Sequence, residues 1–229
     1  MPLRGMGVCR GNEVSAINIW DFWAKRYESL WVQKYSLAPT RRLVIDELKE
    51  LTAGSVSGRK LSLLDVGCGT GQLLAEVSAG LRGSFDFLTG VDTSSQMLMA
   101  AEQKAIPAAR FCLGGAEDLP FADSQFDVVS CCHSFPYYRD KLRALAEMRR
   151  VLKPGSYLLI VSASENNLYD KFIMRLVKLT TGKASYPSAT RMAEMLQAAG
   201  CRVAAQKKLK VKFYMPSIIL TIAKAEMGL

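Results

Sequence analysis

Three glycines at alternate positions, Gly67, Gly69 and Gly71, follow the apolar run Leu63-Leu64-Asp65-Val66 and precede Leu73-Leu74. Without a Cβ, such residues let a chain turn tightly and let a ligand come close to the backbone. A strand before the turn and a helix after it would present the helix N-terminus to a nucleotide. The spacing is GxGxG, with Gln72 where a dinucleotide fingerprint has its third glycine. Asp92 lies 21 residues beyond Gly71, at the end of a second strand-like run. A carboxylate there can accept two hydrogen bonds from a ribose diol, or it can cap a helix or turn. The chain's one histidine, His133, directly follows Cys131-Cys132 and another apolar run. It could take a proton from a hydroxyl or simply form part of a wall. The vicinal thiols could bind a soft metal or arsenic, or be buried and inert. No CxxC pair occurs among the six cysteines, so no metal site is expected.

These residues need a scaffold that brings strand ends together, and the patterning provides one. From Leu61 onward, short apolar runs alternate with amphipathic ones. LSLLDVG, FDFLTGVD, ARFCLGG, FDVVSCC and SYLLIVSA read as strands. GQLLAEVSAGL, SSQMLMAAEQKA (capped by Ser94 or Ser95) and DKLRALAEMRRVLKPG, stopped by Pro154-Gly155, read as helices. That alternation predicts a parallel sheet with helices on both faces. After a helix from Ser188 to Ala199, the runs RVAAQKKLKVKFY and SIILTIAKA leave no room for a crossover and must pair antiparallel. Before the sheet, Trp20, Trp23, Tyr27, Trp31 and Tyr35 share one face of a predicted helix, and a second helix is expected over Thr40 to Leu51. The expected fold is a single α/β domain over 1–229: a Rossmann-like open sheet of mainly parallel strands with a C-terminal antiparallel hairpin. It divides into an N-terminal helical cap or lid (1–55), a core (56–165) and a variable C-terminal part (166–229).

Of the 229 residues, 49% are hydrophobic and 22% charged, a balance able to bury a sizeable core. No apolar run is long enough for a membrane span, and the first residues lack a secretory pattern, so a cytoplasmic protein is expected. The net charge of +9 is uneven. Residues 1–140 hold 14 Lys/Arg against 16 Asp/Glu, and residues 141–229 hold 16 against 5. A basic half of this kind suits an acidic substrate, a membrane surface or a nucleic acid, or is a solvated face. Within it, Leu168, Phe172, Leu176 and Leu179 form a helical stripe beside Lys171, Arg175 and Lys178. Lys207, Lys208, Lys210 and Lys212 extend the basic surface.

LLDVGCGTG, GVDTSSQML, GGAEDLPFADSQFDVV and RRVLKPGS, in that order and spacing, resemble the class I S-adenosylmethionine-dependent methyltransferases over about residues 20–226. The likeness is greatest to the small-molecule branch of the ubiquinone/menaquinone type. The resemblance implies that Gly67, Cys68, Gly69 and Gly71 form the loop under the cofactor's methionine and ribose, with Asp65 near its amino group. It implies Asp92 on the ribose hydroxyls, Thr93 and Met97 near the adenine, and Ala116 and Glu117 at its edge. Cys131 and Cys132 would line the methionine end, and Tyr27 would help to close the site. Relatives often carry an acidic residue where this chain has Gly115, so Glu117 or Asp118 would have to substitute at the adenine. The implied activity is methyl transfer to a small, partly hydrophobic acceptor, with S-adenosylhomocysteine as product and His133 as the candidate base. A nucleic-acid methyltransferase, an arsenic or thiol methyltransferase using Cys131 and Cys132, and a non-catalytic cofactor-binding scaffold are the alternatives. A nicotinamide dehydrogenase fits Gln72 and the terminal hairpin least well.

Overall fold

The computed structural model describes residues 37–53, 59–181, 184–210 and 215–226, the side chains of 177–181 excepted. Tyr27 and the other aromatic residues of the expected lid, together with Lys212, lie outside the described residues.

Among the described residues seven strands form one sheet: β1 (Leu61–Val66), β2 (Phe85–Asp92), β3 (Ala109–Leu113), β4 (Phe126–Cys132), β5 (Leu152–Ala163), β6 (Cys201–Leu209) and β7 (Ile218–Ala225). Their order is β3-β2-β1-β4-β5-β7-β6. β1 to β5 pair in parallel, and β7 runs antiparallel to both β5 and β6. The terminal hairpin is therefore present, with its second strand inserted between β5 and the edge strand β6. The helices are α1 (Ala38–Ala53), α2 (Gln72–Gly80), α3 (Ser95–Glu102), α4 (Lys141–Val151), α5 (Leu168–Thr181) and α6 (Ala189–Ala198).

Strand alternation sorts the core into two layers. On one face Leu64, Val66, Val129, Leu158 and Ile160 pack with Leu145 and Met148 of α4 and Met195 and Leu196 of α6. On the other, Leu63, Val128, Leu159 and Val161 pack with Val44 and Leu48 of α1 and Leu73, Leu74 and Val77 of α2. The central strands are thus covered on both sides, which their nearly unbroken apolar sequences require.

The end of α4 differs from expectation. The helix stops at Val151, three residues before Pro154, and β5 has already begun at Leu152. The pairing of β4 with β5 slips between Phe126 and Val128, and Gly155 turns at φ 74°. Proline cannot donate to the ladder and is tolerated at such an irregular strand beginning. Lys207 also departs from the expected basic surface, because its ammonium pairs with Glu47 of α1.

Gly90, in the middle of β2, is the tightest point beneath the glycine turn. A Cβ there would lie 2.7 Å from both Cys68 Sγ and Phe111 Cδ1. Gly90→Ala is therefore expected to lower unfolding stability by about 1–3 kcal/mol through overpacking, read as a reduced midpoint in denaturant titration.

Candidate active site

The sheet order reverses at β1, with β2 and β3 on one side of it and β4 and β5 on the other. Connections leaving β1 and β4 diverge, and a crevice opens outside the carboxyl ends of the strands. A cleft of about 380 Å³ lies there, lined by Gly67, Gly69, Asp92, Thr93, Met97 and residues 114–117, 132–134 and 137–139. That volume falls in the range of small-molecule sites.

The glycine turn forms the cleft's first wall. Gly67, Gly69 and Gly71 have φ values of 72°, 54° and 72°, a region that residues with a Cβ avoid. The amides of Gly67 and Cys68 donate to Val91 O at 2.8 and 3.1 Å, fastening the turn to β2. Asp92, the last residue of β2, joins the two walls. Its Oδ2 accepts from Gly69 N at 2.8 Å and its Oδ1 from Ser94 N at 2.9 Å. The aspartate is therefore a turn ligand and a cleft-lining residue at once. An ionised carboxylate has about four acceptor positions, and this one lines the cleft. The capping role falls to Ser94, whose hydroxyl accepts from Met97 N at 3.1 Å and so starts α3 with Met97 facing the cleft.

The segment after β3 closes the far end. Ala116 is buried, and Glu117 Oε1 accepts from Arg139 N at 3.0 Å. A Cβ on Gly115 would have Glu117 Oε2 at 3.7 Å and Thr93 Cγ2 at 3.9 Å, both ordinary contacts. The space that a side chain at 115 would enter therefore adjoins the Glu117 carboxylate.

The loop after β4 completes the cleft, with Tyr137 and Tyr138, which the sequence offers as pocket-shaping or packing residues, and with Ser134 and Arg139, which sequence reasoning missed. Ser134 Oγ donates to Val66 O at 2.9 Å, and Tyr138 Oη approaches the same carbonyl at 3.3 Å and Ser134 Oγ at 2.8 Å. A Cβ on Gly67 would come within 2.4 Å of Ser134 Oγ, so this stitch depends on the glycine. Arg139 is the other unexpected lining residue. Neither has a signal in the sequence, because Ser134 reaches the cleft through its bond to β1 and Arg139 is tied by its amide to Glu117, both non-local contacts.

Four expected residues do not line the cleft. Asp65 and Cys68 are buried beside it, and Gly71 packs against Phe111 and Ala101. Cys131 is a correction to the expected wall. Consecutive strand residues face opposite sides, so Cys132 reaches the cleft while Cys131 turns into the core, 3.1 Å from Ser134 Oγ. The two thiols do not converge, and burial pushes the Cys131 thiol up to about 11 and that of Cys132 well above the ordinary range. Neither is a ready thiolate.

Two titratable groups are displaced strongly. Burial raises the Asp65 carboxyl to about 7; a bond from Ser130 Oγ at 2.8 Å opposes this, and the charge of Asp92 adds to it. Burial lowers the His133 imidazole to about 4, aided by the positive charge of Arg41 on α1. His133 has φ 63°, with its amide bonded to Val161 O at 2.8 Å, and its buried Nε2 has no hydrogen-bond partner among the described residues.

A family model described as a methyltransferase domain matches residues 64–160. The chain is 39% identical over 124 residues to the chloroplastic 2-phytyl-1,4-beta-naphthoquinone methyltransferase of Arabidopsis thaliana, covering 50% of this chain and 47% of that protein. It is 30% identical over 164 residues to the demethylmenaquinone methyltransferase of Listeria monocytogenes, covering 61% of this chain and 69% of that one. The chain belongs to the S-adenosylmethionine-dependent methyltransferases. Among solved structures, a Haloferax volcanii candidate methyltransferase in complex with the Trm112 methyltransferase activator superposes with a TM-score of 0.73 at 20% identity, covering 93% of this chain and 100% of that one. The chain spans about half the length of the first curated relatives it matches.

S-adenosylmethionine is the cofactor of this methyltransferase family, and the residues present fit it. Two carboxyl groups beside the turn, Asp65 and Asp92, raise each other's energy as anions and suit a ligand bearing positive charge. Backbone without Cβ atoms at Gly67 and Gly69, and the apolar surfaces of Met97 and Ala116, suit a nucleoside.

The Asp65 shift has a consequence for stability. Above about pH 4 the unfolded carboxyl is ionised while the folded one holds its proton up to about 7, so folding takes up a proton and stability falls as pH rises between those values. Asp65→Asn is always neutral. Its stability relative to the unsubstituted chain is expected to improve across that window, by at most about 1.4 kcal/mol per pH unit, as denaturant titrations at pH 5 and pH 8 would show.

Proposed function

We propose that the chain transfers the methyl group of S-adenosylmethionine to a small, partly apolar acceptor, releasing S-adenosylhomocysteine. The observation that carries this reading is the Asp92 carboxylate, held by Gly69 N and Ser94 N at the wall of the cleft. When bound, the cofactor supplies a methyl group on a positively charged sulfur, an already activated leaving group. The protein's task is then chiefly binding, alignment and exclusion of water.

In this reading Asp92 accepts the ribose hydroxyls, and the turn of Gly67, Cys68, Gly69 and Gly71 lies under the ribose and methionine. Asp65 faces the amino group from below. Thr93, Met97 and Ala116 hold the adenine. Glu117 accepts from the adenine amino group in place of the side chain that Gly115 lacks. Cys132 and His133 stand at the methionine end, where Tyr137 and Tyr138 continue the wall toward the acceptor. The quinones named for the relatives are ring-bearing and apolar, which suits the same class of acceptor here.

His133 is neutral at physiological pH, as a base must be, and its buried Nε2 has no hydrogen-bond partner among the described residues. An imidazole near 4 draws a proton only from a group that is already losing it, so orientation of the acceptor is its main contribution, with proton transfer following methylation.

A methyl-labelled cofactor with a panel of quinols, phenols, thiols and amines tests the reaction; incorporation into none of them contradicts it. Asp92→Ala is expected to weaken cofactor binding by about 1–3 kcal/mol in calorimetric titration. Glu117→Ala is expected to weaken it too, and Gly115→Asp added to that variant to restore it. Turnover should fall in His133→Ala with cofactor affinity unchanged. The pH profile should have no His133-dependent inflection near the ordinary histidine value of 6.5, because the group titrates near 4. An inflection there that vanishes in His133→Ala would overturn the assignment.

A further inference from the structure

Helix α5 is anchored on one side and bare on the other. Asp170 is buried and its Oδ1 accepts from Ser217 N at 3.0 Å. One turn on, Met174 is buried in a cluster with Ala184 and Tyr186, against which Tyr137 packs. The opposite side presents Leu168 at 85% exposure, Tyr169 at 43%, Phe172 at 61% and Leu176 at 49%. Single exposed apolar residues are ordinary. Here four of the seven large apolar side chains exposed among the described residues fall on one helix, three of them spaced by four positions. Lys171 and Arg175, both exposed, run beside that stripe with the same spacing.

We propose that this face of α5 docks on an anionic lipid bilayer, with the apolar stripe entering the headgroup boundary and the cations on its flank meeting acidic headgroups. An apolar stripe bordered by Lys and Arg is the pattern of interfacial helices. The surrounding sequence has the complementary charge, since residues 141–229 hold 16 Lys/Arg against 5 Asp/Glu. Helix α5 has 14 residues, too few to cross a bilayer, so the contact proposed for it is a surface one. Position adds a reason for it. Met174 on the anchored side touches the cluster that supports Tyr137, which lines the cleft. A bilayer under α5 would therefore lie next to the acceptor end of the site, and an apolar acceptor could pass between them without crossing water.

The inference goes beyond methyl transfer, and its test involves no turnover, so failure here leaves that reading standing. The full chain is sedimented with vesicles of phosphatidylcholine containing phosphatidylglycerol, and with vesicles of phosphatidylcholine alone. Binding to the anionic vesicles is expected, weaker on the neutral ones and reduced by added salt. Phe172→Glu/Leu176→Glu and Lys171→Glu/Arg175→Glu each alter exposed positions only. Each is expected to weaken vesicle binding about tenfold or more, with unchanged melting temperature and cofactor affinity. Absence of binding to anionic vesicles overturns the proposal, as does binding that neither double variant alters. A concentration-dependent dimer abolished by Phe172→Glu/Leu176→Glu, without vesicle binding, assigns the face to a second copy of the chain and also overturns it.

Discussion

The bonds from Gly69 N and Ser94 N to the two oxygens of Asp92 hold the site together. They join the turn after β1 to the start of α3, two pieces that a parallel sheet brings side by side but does not fasten. A carboxylate can do this and still accept from a ligand, because each oxygen has more than one lone pair. The same contact places a negative charge near buried Asp65, whose carboxyl rises to about 7 chiefly because it is buried. One side chain thus shapes the turn, offers acceptors to the cleft and helps to set the charge beneath it.

The other half of the cleft depends on the Val66 carbonyl. Ser134 and Tyr138 converge on it from the loop after β4, and Gly67 has no Cβ to stand in their way. Both stitches sit where the sheet order reverses, so the position of the cleft follows from topology and its walls from a few side chains. The fold alone does not establish an activity. Asp92, the glycine turn and the family relationship together point to methyl transfer.

Much of this was legible in the sequence because local chemistry and tertiary structure agree. The runs of β1, β2 and β4 are apolar on both faces and lie within a residue of where they were expected, and Ser94 caps α3 as its spacing from Met97 allows. What was not legible came from non-local contacts. Ser134 acts through a strand 68 residues away, and no local pattern marks it. Cys131 and Cys132 look equivalent as letters, but strand alternation sends one into the core and the other to the cleft. Pro154 looked like a helix stop, whereas the irregular beginning of β5 had already absorbed it.

Calorimetric titration of the chain with S-adenosylmethionine at pH 7, in two buffers of different ionisation enthalpy, tests the central claim most directly. Saturable binding is expected, with a heat that differs between the buffers because a cationic ligand beside Asp65 displaces its proton. S-adenosylhomocysteine should bind to the same site. Absence of saturable binding would contradict the assignment of the cleft as the cofactor site. Binding with no proton release would leave the cleft in place and remove Asp65 from the ligand's surroundings.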